Sequence, residues 1–238
     1  MSRETNLELN TDDNDKPSAF VKNVTAAYNI VGVMLSLYIL FSEGKNNIIV
    51  LLPYPLIAIV LVLISKRAVK LISDNNNRIY GSLTFGFLFS TLIILFKSWD
   101  YTIFKNENVW LPVIITCVVI FILLYKIGIN PLNGRKIFET ILTYIIVVIY
   151  AYGVIREANS IFDKSNPQIY RVVVLDKRAH HGSKSDSYHF TLSTWGPMQT
   201  IKEEEVDGYL FDHTKIGDTI NVNFSQGLLD IPWYAISK

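Results

Sequence analysis

Hydrophobic positions follow two rhythms along this chain. Through the first two thirds they run almost unbroken, at 19–41, 48–64, 80–96, 109–125 and 137–155, with short polar stretches between. A helix needs about 20 apolar residues to cross a hydrocarbon core of roughly 30 Å, and these runs approach that length with their centres free of charge. The pattern predicts five transmembrane helices. Five such runs joined by short polar loops argue against a set of buried helices in a soluble protein.

From about Asn159 the rhythm shortens to alternation with turn signals, the grammar of an antiparallel sheet. Strands are predicted at 169–177 and 188–195, where Tyr188, Phe190 and Leu192 face one way and His189, Thr191 and Ser193 the other. A weaker strand at 200–206 follows the Gly196-Pro197 turn, and 209–215 suits one helical turn. In TINVNF, Ile220, Val222 and Phe224 alternate with Asn221 and Asn223, between turns at Gly217-Asp218 and Gln226-Gly227. A last strand follows Pro232, at 233–236. The expected fold is a membrane α-helical domain of five transmembrane helices plus a small C-terminal antiparallel all-β domain, barrel- or sandwich-like. Its expected parts are a disordered acidic tail (1–18), the helical domain (19–158), a linker (159–166) and the β-domain (167–238).

Loop charge sets an expected orientation. With the N-terminus inside, the inner side holds Arg3, Lys16, Lys22, Lys66, Arg67, Lys70, Arg78, Lys126, Arg135 and Lys136, against Lys45, Lys97 and Lys105 outside. Positive charge favours the cytoplasmic side. An odd number of spans then sends the C-terminal domain to the extracytoplasmic face of a cell membrane. Trp99, Tyr101 and Trp110 flank the loop before the fourth run as interface anchors. Pro53, Pro55 and Pro112 come early in their runs, where a missing N–H costs little; a hinge is the functional alternative. The polar, acidic start predicts no cleaved signal peptide.

Composition removes several chemistries. A net charge of +1 gives no basic face for nucleic acid. The single cysteine, Cys117, can build neither a disulfide nor a cysteine zinc site. Ion-coupled transport usually keeps ionisable side chains inside its spans; here Lys22 and Glu139 stand only at span starts, and Asn29 is the most polar mid-span residue. Small residues line two runs, Ser82, Gly86 and Ser90 in the third and Thr25, Asn29, Gly32 and Ser36 in the first. Such stripes let helix backbones approach, within one chain or, as the alternative, between two copies in a homo-oligomer.

Three of the four histidines fall in RVVVLDKRAHHGSKSDSYHFTLSTW. A zinc or other transition-metal site could draw on His180, His181, His189 and His213, with Asp186 or Asp212. Adjacent strand residues face opposite ways, so His180 and His181 converge only if the chain leaves the strand there. No HExxH or other spaced ligand motif frames them, and the default is a pair of strands with a polar tip and no cofactor. A Ser183, His181 and Asp186 set would sit on that same tip, a poor holder of catalytic geometry. No P-loop or GxGxxG occurs. Glu203 to Glu205 reads as a solvated strand edge, with calcium as the alternative. Asn223 opens a glycosylation sequon but stands in a predicted strand.

The succession of helical runs with VLDK, YHFTLSTWG, IGDTINVNF and GLLDIPWY resembles uncharacterised bacterial multi-pass membrane proteins with a C-terminal extracytoplasmic β-domain. The resemblance covers 162–238 by motif and the helices by hydropathy, and implies no activity or site residues. The leading expectation is a non-enzymatic function. The spans sit in the lipid bilayer and the β-domain binds a protein or cell-envelope partner. A metal-binding sensor or metal-dependent enzyme, and a passive transporter or channel component, are the alternatives.

Overall fold

The structure, a computed structural model, describes residues 19–42, 44–65, 69–72, 82–126, 129, 137–182 and 186–238, without the side chains of Lys45 and His181. The helices are α1 (Ala19–Phe41), α2 (Tyr54–Ile64), α3 (Thr84–Lys97), α4 (Glu107–Lys126), α5 (Ile137–Ile161) and the short α6 (Gly208–Asp212). Among the described residues four segments are long and apolar enough to cross a membrane: α1, Asn46–Ile64, α4 and α5. The second of these opens with a 3-10 turn, Lys45–Val50, and becomes α-helical only after Pro53. The third apolar run forms a helix of 14 residues, about 21 Å at 1.5 Å per residue. Its expected start at Tyr80 lies outside the described residues. On α4, Leu111, Ile114, Ile115, Val118, Val119 and Ile122 are exposed, an apolar face that suits lipid better than water.

The chain divides into two compact units, Met1–Ile93 with Cys117–Tyr150, and Ile94–Thr116 with Ala151–Lys238. In the first, α1 and the start of α3 meet through the small residues. A side chain added at Gly32 would strike the Tyr54 ring and the Gly86 backbone at 2.6 and 2.8 Å. Asn29 spends its amide on this contact, donating to the Ser82 carbonyl at 2.8 Å and accepting from the Gly86 N–H at 2.9 Å. A polar group away from water needs such partners. The rings of Tyr28 and Tyr54 stack at 4.7 Å. Ser36, Ser82 and Ser90 are buried, and Ser90 donates back to the Gly86 carbonyl.

The second unit is built on a six-stranded antiparallel sheet. Its strands are β1 (Thr102–Ile103), β2 (Gln168–His181), β3 (Asp186–Leu192), β4 (Lys202–Val206), β5 (Thr219–Ser225) and β6 (Trp233–Ser237), in the order β1-β6-β5-β2-β3-β4. Strand β2 turns the corner. Its first half pairs with β5 from Gln168 to Val173, its second with β3 from Val174 onward, and the register slips between Val174 and Asp176. Such an irregularity bends a strand and increases its twist, so the sheet curls into a half-barrel. Alternation puts Val172, Val174, Phe190, Leu192, Ile220 and Val222 inside, where Trp195, Leu210 and Tyr234 complete the core. The two histidines expected at a loose tip lie within β2, which runs four residues past its expected end.

Strand β1 was not expected. Two residues between α3 and α4 pair with β6, Thr102 opposite Tyr234 and Ile103 opposite Trp233. Tyr101 beside them is 4% exposed, packed edge-on to Trp233 rather than facing headgroups like an interface anchor. Helix α6 begins at its cap Asp207, whose carboxylate accepts from the Leu210 N–H at 2.8 Å. The Lys177 ammonium holds its other end, donating to the carbonyls of Phe211 and Thr214.

Candidate functional site

Two polar constructions organise this second unit. The first lies at the end of α5, which continues past its expected boundary and carries Arg156, Glu157, Asn159 and Ser160 into burial. Arg156 donates to the Tyr101 carbonyl at 3.1 Å and the Tyr152 hydroxyl at 2.9 Å, with both rings under its guanidinium. A guanidinium over aromatic faces is stabilised by the ring quadrupoles. Burial and the nearby Glu157 carboxylate push the Tyr101 phenol above its usual range. Asn159, fully buried, donates to the Ile231 carbonyl and accepts from the Leu229 N–H, each at 2.9 Å. Within the expected linker, Asp163 accepts from the Gly227 N–H and the Trp233 indole at 2.9 and 3.0 Å. Burial raises its pKa, but hydrogen bonds from Ser165, Trp233 and Gly227 outweigh that and hold it below the usual carboxylate range.

These bonds fix the 227–233 turn. Gly227, at φ 82°, lies so close to the Ile231 carbonyl and the Asn159 amide that a side chain has no room. The turn in turn sets β6, one wall of the second construction.

That construction is an open cleft of about 570 Å³ where the half-barrel fails to close. Trp99 to Thr102 lead into β1 on one side, Glu204 to Asp207 belong to β4 and the cap of α6 on the other, and Tyr234 to Ile236 of β6 lie between. Among the described residues its lining carries four carboxylates, Asp100, Glu204, Glu205 and Asp207, and no basic side chain. At its base the Tyr234 hydroxyl donates to Glu204, and Lys202 reaches the same carboxylate oxygen at 2.8 Å and the phenol at 3.2 Å. Burial and the Glu204 carboxylate push the Tyr234 phenol well above its usual range. Glu204 is therefore not part of a solvated edge: it is 8% exposed, while Glu203 and Glu205 on the other face are exposed. The alternation of KEEEV already separates the middle glutamate from its neighbours, and Asp207 before Gly208 has the form of a helix cap. No sequence signal joins them to Tyr234 or to Asp100.

The histidines are placed as follows. His180 stands opposite Ser187 and His189 opposite Arg178, so the two imidazoles are diagonal neighbours, with ring centroids 5.4 Å apart and edge to face. His189 shares a 3.2 Å hydrogen bond with Ser187. His213 closes α6, stacks on Tyr209 and donates from Nδ1 to the Tyr209 carbonyl at 2.8 Å. The side chain of His181, and Ser183, lie outside the described residues. Among the described residues no three His, Cys, Asp or Glu side chains are grouped to hold a metal ion. Asn223 uses its amide within the sheet, donating to Ser237.

Comparison with protein-family models, curated proteins and solved structures finds no match for this chain.

Proposed function

We propose that this chain is an integral membrane protein whose helices anchor the half-barrel on the outer face of a cell membrane, where it binds a protein or cell-envelope partner. The observation that carries this reading is the unclosed edge of the half-barrel with its cleft. An open strand edge is ordinarily covered, shortened or charged because it is a ready template for another chain, and strand addition is a recurring mode of recognition. Apolar helices with lipid-suited outer faces support the anchoring role.

In this reading the third apolar run makes a fifth crossing. A helix shorter than the local hydrocarbon thickness is accommodated by bilayer thinning at modest cost. Five crossings with the basic loops inside carry the C-terminal β-domain outward.

The test is site-specific photocrosslinking in native membranes, with the crosslinking residue placed at Glu205 in the cleft and at the exposed Ile216 and Leu228 elsewhere on the β-domain. A topology reporter fused after Lys238 is read alongside. A discrete partner band with an extracytoplasmic reporter supports the proposal. Absence of crosslinks from every position, or a reporter active only in the cytoplasm, overturns it.

A further inference from the structure

The strand ladder leaves a specific gap. Strand β4 pairs with β3 residue by residue, Lys202 with Leu192 through Val206 with Tyr188. Among the described residues no strand pairs with its other side. Strand β6 pairs with β5 throughout, but β1 covers only Trp233 and Tyr234 of its opposite side. Ala235 and Ile236, beyond the end of β1, and Glu204 to Val206 of β4 border the same cleft. Two stretches of strand without a second neighbour thus face one space. Backbone N–H and C=O groups require partners when water is excluded from them.

The chemistry of that space selects its occupant. Each lining carboxylate already has a local role or faces water: Glu204 bonds Tyr234 and Lys202, Asp207 caps α6, Asp100 lies 3.7 Å from Lys97 at the surface, and Glu205 is exposed. Lys202 at the base offsets Glu204 and Lys97 lies beside Asp100, yet the four carboxylates outnumber these two cations and leave the space net negative. A second copy of this chain is disfavoured, because antiparallel pairing of β4 with itself centres Glu204 on Glu204 and sets Glu203 against Glu205. Like charges directly opposite destabilise a ladder. Val206, Leu210 and Ile236 meanwhile supply apolar surface between the acids.

We infer that the cleft receives an extended basic segment of a partner protein, added as a strand along β4. Its Lys or Arg side chains lie against Glu205 and Asp100, and its intervening apolar side chains cover Val206, Leu210 and Ile236. The inference rests on the reading of the β-domain as a partner-binding module and names the chemistry of what it binds. Main-chain hydrogen bonds to β4 give the segment its hold, and alternate side chains give it specificity. The acids also act before contact, since complementary charge steers association and is screened by salt.

The test uses the full chain in lipid nanodiscs and a fluorescent, end-capped seven-residue peptide alternating lysine with valine, followed by anisotropy. Saturable binding is expected, weakened at least tenfold by Glu205→Lys with Asp100→Lys. An equal loss is expected when alternate peptide amides are N-methylated, which removes donors and keeps the charge. A peptide with glutamate in place of lysine does not bind. Asp212→Lys, an exposed change outside the cleft, leaves binding within about twofold, and unchanged melting shows that the variants fold. Equal binding of the N-methylated peptide, indifference to the cleft variants, an equal effect of Asp212→Lys, or no binding overturns the inference. If the peptide fails while Ile216 or Leu228 still crosslinks to a partner, only the cleft is wrong. If every position is silent, the partner-binding reading falls with it.

Discussion

The hydroxyl of Tyr234 on β6 donates to the carboxylate of Glu204 on β4, joining two strands that three others separate in the sheet. Lys202 of β4 reaches the same phenol at 3.2 Å, so the Tyr234 hydroxyl ties β6 to β4 across the opening of the half-barrel. Tyr234→Phe leaves the buried carboxylate to Lys202 alone. A hydrogen bond to a charged group contributes about 1.5–3 kcal/mol, and the variant is expected to lose that much stability, read by denaturant unfolding in detergent. A loss no larger than that of an exposed substitution would remove this bond from the forces that hold the opening.

Asn159→Ala deprives the buried Ile231 carbonyl and the partly buried Leu229 N–H of their partner. A buried orphaned group such as the Ile231 carbonyl costs about 1–3 kcal/mol. Faster hydrogen exchange across 227–231, with little change at Phe190, is the expected signature. Uniform acceleration throughout the sheet would mean that Asn159 supports the whole unit instead of this turn.

Asp163 gives the second unit an acid sensitivity of known sign. Its folded pKa is depressed, so its stabilising contribution is present above the ordinary value of about 3.9. It is lost as pH falls through the lower folded value. Thermal melting between pH 6 and 2.5 should show a steeper acid decline for the native chain than for Asp163→Asn, which starts less stable. Parallel curves would show that other carboxylates govern the acid limb.

Zinc added to the full chain is expected to leave its melting temperature unchanged, because His180 and His189 have no third described ligand beside them. A rise that His180→Ala abolishes would return the metal reading to consideration.

The strands that the sequence pattern exposes are those whose own residues alternate. In β3 and β5, Phe190, Leu192, Ile220 and Val222 fall on the buried face where alternation put them. Strand β1 is hidden because Thr102 and Ile103 become a strand only through β6, far along the chain. The continuation of α5 is hidden for a related reason. Arg156 and Glu157 end a hydropathy run, yet the helix goes on, with Tyr101, Tyr152 and the 228–231 turn as hydrogen-bond partners for Arg156 and Asn159. The third apolar run was legible in composition but not in helix length. Of the site, the acidic run was visible and its inward member was not. Burial of Glu204 depends on a tyrosine 30 positions away, and no local pattern carries that information.

The shortness of β1 also orders events in time. Thr102 and its partner Tyr234 are separated by roughly 130 residues, and synthesis at 5–20 residues per second keeps them apart for about ten seconds. Every other strand of the sheet is synthesised before β6, so β6 completes a cleft whose other lining residues are already in the chain. Until then β1 has no partner strand, and a nascent chain cut before Trp233 would carry the helices and four paired strands but lack the strand that joins the two sides of the cleft.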